Sequence, residues 1–123
     1  TKDGTAVRDY IHVSDIAHAH VLAVEYLSNR IENVEYDVFN LGTGIGVTVL
    51  EVLQAFENSS GMKLNYELGP RRAGDVECIY ADNNQARTQL SWHPKRNIED
   101  AMRTAWIWQQ KLNLIHGDKV LPE

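Results

Sequence analysis

Three glycines at alternate positions, Gly42, Gly44 and Gly46, are followed at once by Thr48 and Glu51. Glycine visits positive φ without steric cost, so the run breaks whatever element precedes it. Thr48-Val49-Leu50-Glu51 is a capping box, in which a hydroxyl and a carboxylate satisfy each other's free amides at a helix start. The apolar run Tyr36–Leu41 stands just before the glycines and reads as a buried strand. The chain must therefore hold a strand–turn–helix unit, which points to a mixed α/β fold.

The remaining pattern extends that unit on both sides. Ala6–Val13 alternates as a strand, with Val7, Ile11 and Val13 on one face and Arg8, Tyr10 and His12 on the other. Ser14 and Asp15 offer N-cap oxygens for a helix that carries Ile16, Ala19, Ala23, Val24 and Leu27 on its apolar side. Ser28–Glu35 reads as a loop. Val49, Leu53 and Phe56 stripe the second helix, and Gly61 suits its C-terminal cap. Leu64, Tyr66 and Leu68 alternate as another strand, and Cys78–Ala81 is a short further one. Residues 69–75 form a loop by composition. A helix runs from Asp82 to Leu90, and Pro94 separates it from a last helix capped by Asn97. Ile98, Ala101, Met102, Ala105, Trp108 and Leu112 supply the stripe of that last helix, with a frayed tail from Gly117. The order is β-α-β-α-β-(β)-α-α.

Charge and cysteine content narrow the partners. Asp and Glu number 17 against 12 Lys and Arg, a net charge of -5, and no basic run is present. Phosphate-backbone binding needs a positive patch, so nucleic acid is excluded as a partner. No apolar run approaches the ~20 residues of a membrane span. Cys78 is the single cysteine, which fits a reducing cytoplasm. The opening Thr1-Lys2-Asp3-Gly4 lacks a Met and runs straight into a strand, as a cut into a longer protein would.

Two segments suggest chemistry. The glycine run could hold a phosphate on helix amides, and Glu67 stands about where a ribose-binding acid would. Its spacing is G-x-G-x-G, however, whereas dinucleotide binding uses G-x-G-x-x-G, so a structural turn is the plainer reading. Arg71-Arg72-Ala73-Gly74-Asp75 places two guanidiniums beside a flexible glycine, a geometry that clamps pyrophosphate, with an acid near for hydroxyls. Arg8, pointing outward, could join them; surface ion pairing is the alternative. Metal binding has little support, because His18 and His20 do not share a helix face. None of the tyrosines is followed by Lys at the spacing that activates a phenol; Tyr26 with Arg30 comes nearest. The chain thus carries no recognisable catalytic base, and Trp106 and Trp108 read as helix-to-sheet packing.

Four segments together resemble the C-terminal part of the UDP-glucose 4-epimerases, within the extended short-chain dehydrogenase/reductases. They are Val7-Arg8-Asp9-Tyr10-Ile11-His12-Val13 with Asp15, Phe39-Asn40-Leu41-Gly42-Thr43-Gly44, Arg71-Arg72-Ala73-Gly74-Asp75-Val76, and Ala105-Trp106-Ile107-Trp108-Gln109. The first of them also fits nucleotide-sugar dehydratases and decarboxylases. The resemblance implies the substrate-binding portion of a Rossmann-type protein, with a UDP-sugar-binding domain over residues 1–116 and a tail over 117–123. It implies that Arg8 and Arg72 bind the diphosphate, that Asp75 binds the uridine ribose, and that Ile79 borders the sugar and bears on whether N-acetyl groups are accepted. It further implies NAD on an N-terminal Rossmann part outside this chain, where the Tyr-x-x-x-Lys pair and the catalytic Ser or Thr also belong. The partners would be UDP-glucose and UDP-galactose, and the intact protein a cytoplasmic homodimer. This chain alone would then have no catalytic residue, bind no cofactor, show no epimerase activity, and expose an apolar patch that favours self-association. The competing expectations are a stand-alone nucleotide-sugar-binding module and a dinucleotide unit built on Gly42–Gly46.

Overall fold

A computed structural model describes residues 1–30 and 36–116. The elements run β1 (Val7–Arg8), α1 (Val13–Ser28), β2 (Val47–Thr48), α2 (Val49–Ser60), α3 (Asn84–Gln89) and α4 (Ile98–His116). β1 and β2 pair antiparallel, Val7 opposite Thr48 and Arg8 opposite Val47. Val7 also forms an isolated parallel bridge with Cys78. The observed order is therefore β-α-β-α-α-α, with far less sheet than the alternation implies.

The helices follow the sequence closely. Thr48 and Glu51 complete the capping box at α2, and Gly61 closes that helix with φ +73°. Asn97 Oδ1 accepts the Asp100 amide at 2.9 Å and caps α4. At α1 the cap is His12 rather than Ser14 or Asp15: its Nδ1 accepts the Ser14 amide at 3.0 Å. The alternation ascribed to residues 6–13 ends at Arg8 for the same reason. Once the backbone turns into α1, His12 faces inward at 5% exposure, while Val13 faces out at 73%.

The strands expected at Tyr36–Leu41 and Leu64–Leu68 have no ladder among the described residues, and Cys78–Ala81 contributes only the bridge at Cys78. Residues 36–41 still alternate: Asp37, Phe39 and Leu41 are half-buried, while Tyr36, Val38 and Asn40 are exposed. A strand needs a neighbour for its backbone groups, which side-chain alternation does not provide. The loop expected over Ser28–Glu35 is outside the described residues from 31 on, as is the tail from Gly117; Ser28 itself closes α1.

Packing has two centres. In the first, Ala19 of α1, Ala86 of α3, Leu90 and Trp92 are buried, with Ile11, Leu22, Ala23, Tyr26, Phe39 and Leu41 packed around them. Trp92 is fully enclosed, and its indole N–H donates to the Asp15 carbonyl at 2.9 Å. Ser91, in the left-handed region at φ +53°, turns the chain at the end of α3 so that the Trp92 amide reaches the Ala86 carbonyl at 3.2 Å. The second centre is the α2–α4 pair, where Phe56 and Trp106 meet edge to face with centroids 5.7 Å apart. Trp106 thus packs on a helix instead of a sheet, and Trp108 is 59% exposed, outside the stripe assigned to it. Ala105 is exposed as well. His12 links the two centres through Nε2 to the Thr104 hydroxyl at 2.9 Å. Apolar side chains remain open on α1 (Val24, Leu27) and at the end of α4 (Leu114, Ile115).

Candidate functional site

The glycine turn is committed internally. Asp9, just after β1, accepts the Thr43 amide at 2.8 Å, the Thr43 hydroxyl at 2.6 Å, the Gly44 amide at 3.0 Å and the Ala81 amide at 3.2 Å. Its carboxylate fills the amide nest that a phosphate would need. Burial works to raise the Asp9 pKa, but the Thr43 hydroxyl and the three amides prevail and hold it below the ordinary value. Gly44 has φ +74°, and a Cβ on Gly42 would collide with the Asp9 carboxylate and with Ala81. These glycines serve close packing and a turn. The first amides of α2 are spoken for as well, by Ala6 O, Thr5 Oγ1 and Thr48 Oγ1. The residues present therefore do not fit a dinucleotide at this turn.

The basic loop behaves differently. Residues 65–80 are all exposed except Asp75, which is half-buried. Arg8 reaches from β1 to this loop and donates through Nη1 to the carbonyls of Val7 at 2.8 Å and Val76 at 2.7 Å. Its Nη2 lies 3.8 Å from Asp75 Oδ1. Arg72 donates to the same oxygen at 3.1 Å. Arg71 donates to Glu77 at 2.7 Å and to the Asp75 carbonyl at 3.3 Å. The Arg72 hydrogen bond leads in holding the Asp75 carboxyl below its ordinary range, with the charges of Arg72, Arg8 and Arg71 adding to it. Arg71 does the same for Glu77.

Arg71, Arg72 and Asp75 line an open cleft of about 580 Å³ together with Glu67, Glu77 and the turn Asp3–Ala6. Arg8 is not among the cleft-lining residues, but its contact with Asp75 brings it together with Arg72 although it is remote from the loop in sequence. Ile79 is not among the cleft-lining residues; its amide donates to the Val7 carbonyl at 3.1 Å and its side chain is 55% exposed. Glu67 reaches the cleft from an irregular segment and not from a strand. Chemically, the cleft presents guanidinium N–H groups suited to a diphosphate and carboxylates that accept hydroxyls. Among the described residues, no group of His, Cys, Asp and Glu could hold a metal, and no helix is long and apolar enough to cross a membrane.

Two acids have anchoring roles that the sequence pattern does not assign: it gives Asp9 none, and Asp15 that of an N-cap. Asp9 organises the glycine turn as described. Asp15 is 2% exposed and takes the amides of Lys95 and Arg96 at 3.0 Å each and Arg96 Nη1 at 2.9 Å. Both acids lie in the motif Arg8-Asp9-Tyr10-Ile11-His12-Val13-x-Asp15. Polar residues inside an otherwise apolar run are a signal for such buried acceptors.

A family model described as GDP-mannose 4,6 dehydratase matches residues 1–105. A UDP-glucose 4-epimerase of Lactobacillus helveticus is 44% identical over 120 residues, 97% of this chain and 36% of that protein. The UDP-glucose 4-epimerase of Bacillus subtilis is 46% identical over 109 residues, 89% of this chain and 31% of that protein. The chain thus spans about a third of the length of these curated relatives. Among solved structures, the UDP-glucose 4-epimerase of Stenotrophomonas maltophila with bound NAD and formylated UDP-arabinopyranose superposes with a TM-score of 0.86 at 42% identity. That match covers 94% of this chain and 33% of that one. The enzyme of Bifidobacterium longum in complex with NAD+ and UDP gives 0.80 at 42% identity, covering 90% and 32%.

Proposed function

Because the chain belongs to the family of the GDP-mannose 4,6 dehydratases, we propose that it is the C-terminal, UDP-sugar-binding part of a UDP-glucose 4-epimerase. In this reading residues 1–116 form the binding domain, and the intact cytoplasmic protein, a homodimer, interconverts UDP-glucose and UDP-galactose. The observation that carries it is the convergence of Arg8 and Arg72 on Asp75 beside the cleft. The two guanidiniums hold the diphosphate, and Asp75 accepts from the uridine ribose hydroxyls. Ile79, open beside β1, borders the sugar. The solved relatives named above carry UDP and a UDP-sugar, which supports this assignment.

NAD, when bound, supplies removal and return of a hydride at the sugar. It belongs to the rest of the protein in this reading, since the glycine turn here is filled by Asp9. This chain's residues bind and orient the nucleotide and perform no proton transfer.

Titration calorimetry of the purified chain with UDP tests the reading. Saturable one-site binding is expected, and Arg72→Ala should weaken it about ten-fold or more, as for loss of a hydrogen bond to a charged group. Absence of UDP binding by the wild-type chain would overturn it. Turnover of UDP-galactose by the chain with added NAD would overturn the placement of the chemistry elsewhere.

A further inference from the structure

We propose that the cleft is held in a self-clasped state, in which Asp75 and Glu77 occupy the guanidiniums that a diphosphate must take. This rests on the nucleotide-binding reading of the same cleft. Every arginine beside it already has an anionic or carbonyl partner within or next to the loop: Arg72 on Asp75, Arg71 on Glu77 and the Asp75 carbonyl, Arg8 on the Val76 carbonyl with Asp75 beyond. Asp75 is the hub, since the two guanidiniums assigned to the diphosphate share its Oδ1.

The clasp is an exchange device. A diphosphate entering the cleft displaces the Asp75 carboxylate from Arg72. A bare pyrophosphate leaves that carboxylate beside added negative charge, with only water as a donor. A nucleoside diphosphate provides one, because its ribose hydroxyls reach the freed oxygens. The same carboxylate thus opposes simple polyanions and favours the nucleoside form. Arg8 stays anchored through Nη1 to Val76 while its Nη2 remains free to turn from Asp75 to the ligand, so the loop keeps its place during the exchange.

Calorimetry with pyrophosphate and with UDP, on the full chain and on Asp75→Asn, separates the possibilities. The variant should bind pyrophosphate about two- to five-fold more tightly, the range in which an exposed ion pair competes. It should bind UDP no more tightly than wild type, so the preference for UDP over pyrophosphate falls. Glu77→Gln is the second variant, with a smaller gain for pyrophosphate through Arg71. Unchanged or weaker pyrophosphate binding in both variants overturns the clasp, whatever UDP does. Failure of wild type to bind UDP, with pyrophosphate binding strengthened in the variants, overturns the nucleotide reading and leaves the clasp standing.

Discussion

Two carboxylates show how differently the two ends of this molecule are built. Asp15 lies at the Trp92 centre, 2% exposed, with two amides and a guanidinium on its oxygens. Asp75 lies in the cleft loop, about a third exposed, with guanidiniums from β1 and from its own loop. Both are held below the ordinary carboxyl range. At Asp15 burial alone would push the pKa up, and the Arg96 and Lys95 hydrogen bonds reverse it. At Asp75 the Arg72 hydrogen bond comes first and burial is secondary. The first carboxylate is structural, because it is itself buried and ties the Lys95–Arg96 backbone to α1. The second is exchangeable, because water or a ligand can replace each of its partners.

The largest expected break in that contrast is Trp92→Ala. It empties the centre of the packed end and removes the indole bond to Asp15, so unfolding in urea should show a loss of about 3–5 kcal/mol. Asp15→Ala should follow at about 1.5–3 kcal/mol, since the buried carboxylate that takes two part-buried amides and the Arg96 guanidinium is lost.

Acid sharpens the same comparison. Asp9 and Asp15 are both held below the ordinary aspartate pKa of 3.8 in the folded protein. Their contribution is therefore present above pH 3.8 and is lost as pH falls through the lower folded values. Urea midpoints measured from pH 5 down to pH 2 should decline below about pH 4 in wild type, and less steeply in Asp15→Asn. The smallest effect is expected at the cleft: Arg72→Ala should leave the urea midpoint at neutral pH unchanged, because both members of its pair face solvent. A large drop there would mean that the cleft loop is part of the core.

Helix positions were legible because helices are local. The Thr48–Glu51 box, the Asn97 cap and the Gly61 terminus each involve residues within a turn of one another, and all three stand as the pattern implies. The basic loop was legible from composition. Strands were not: residues 36–41 form an apolar run and residues 64–68 alternate, yet a ladder depends on a partner remote in sequence, and the described residues supply none. Ser91 gave no sign of its left-handed backbone, because serine is not the residue that such a turn usually selects.

The sequence by itself determined the helices, the caps of α2 and α4, the acidic balance, and Arg71–Asp75 as a loop that sets two guanidiniums beside an acid. Tertiary structure alone decided that His12 caps α1, that Asp9 fills the glycine turn a phosphate could have used, and that Arg8 reaches across to share Asp75 with Arg72. The physical reason is one of range. Periodicity and capping act over three or four residues, whereas a buried acceptor or a shared carboxylate exists only once chain segments far apart in sequence have been folded against each other.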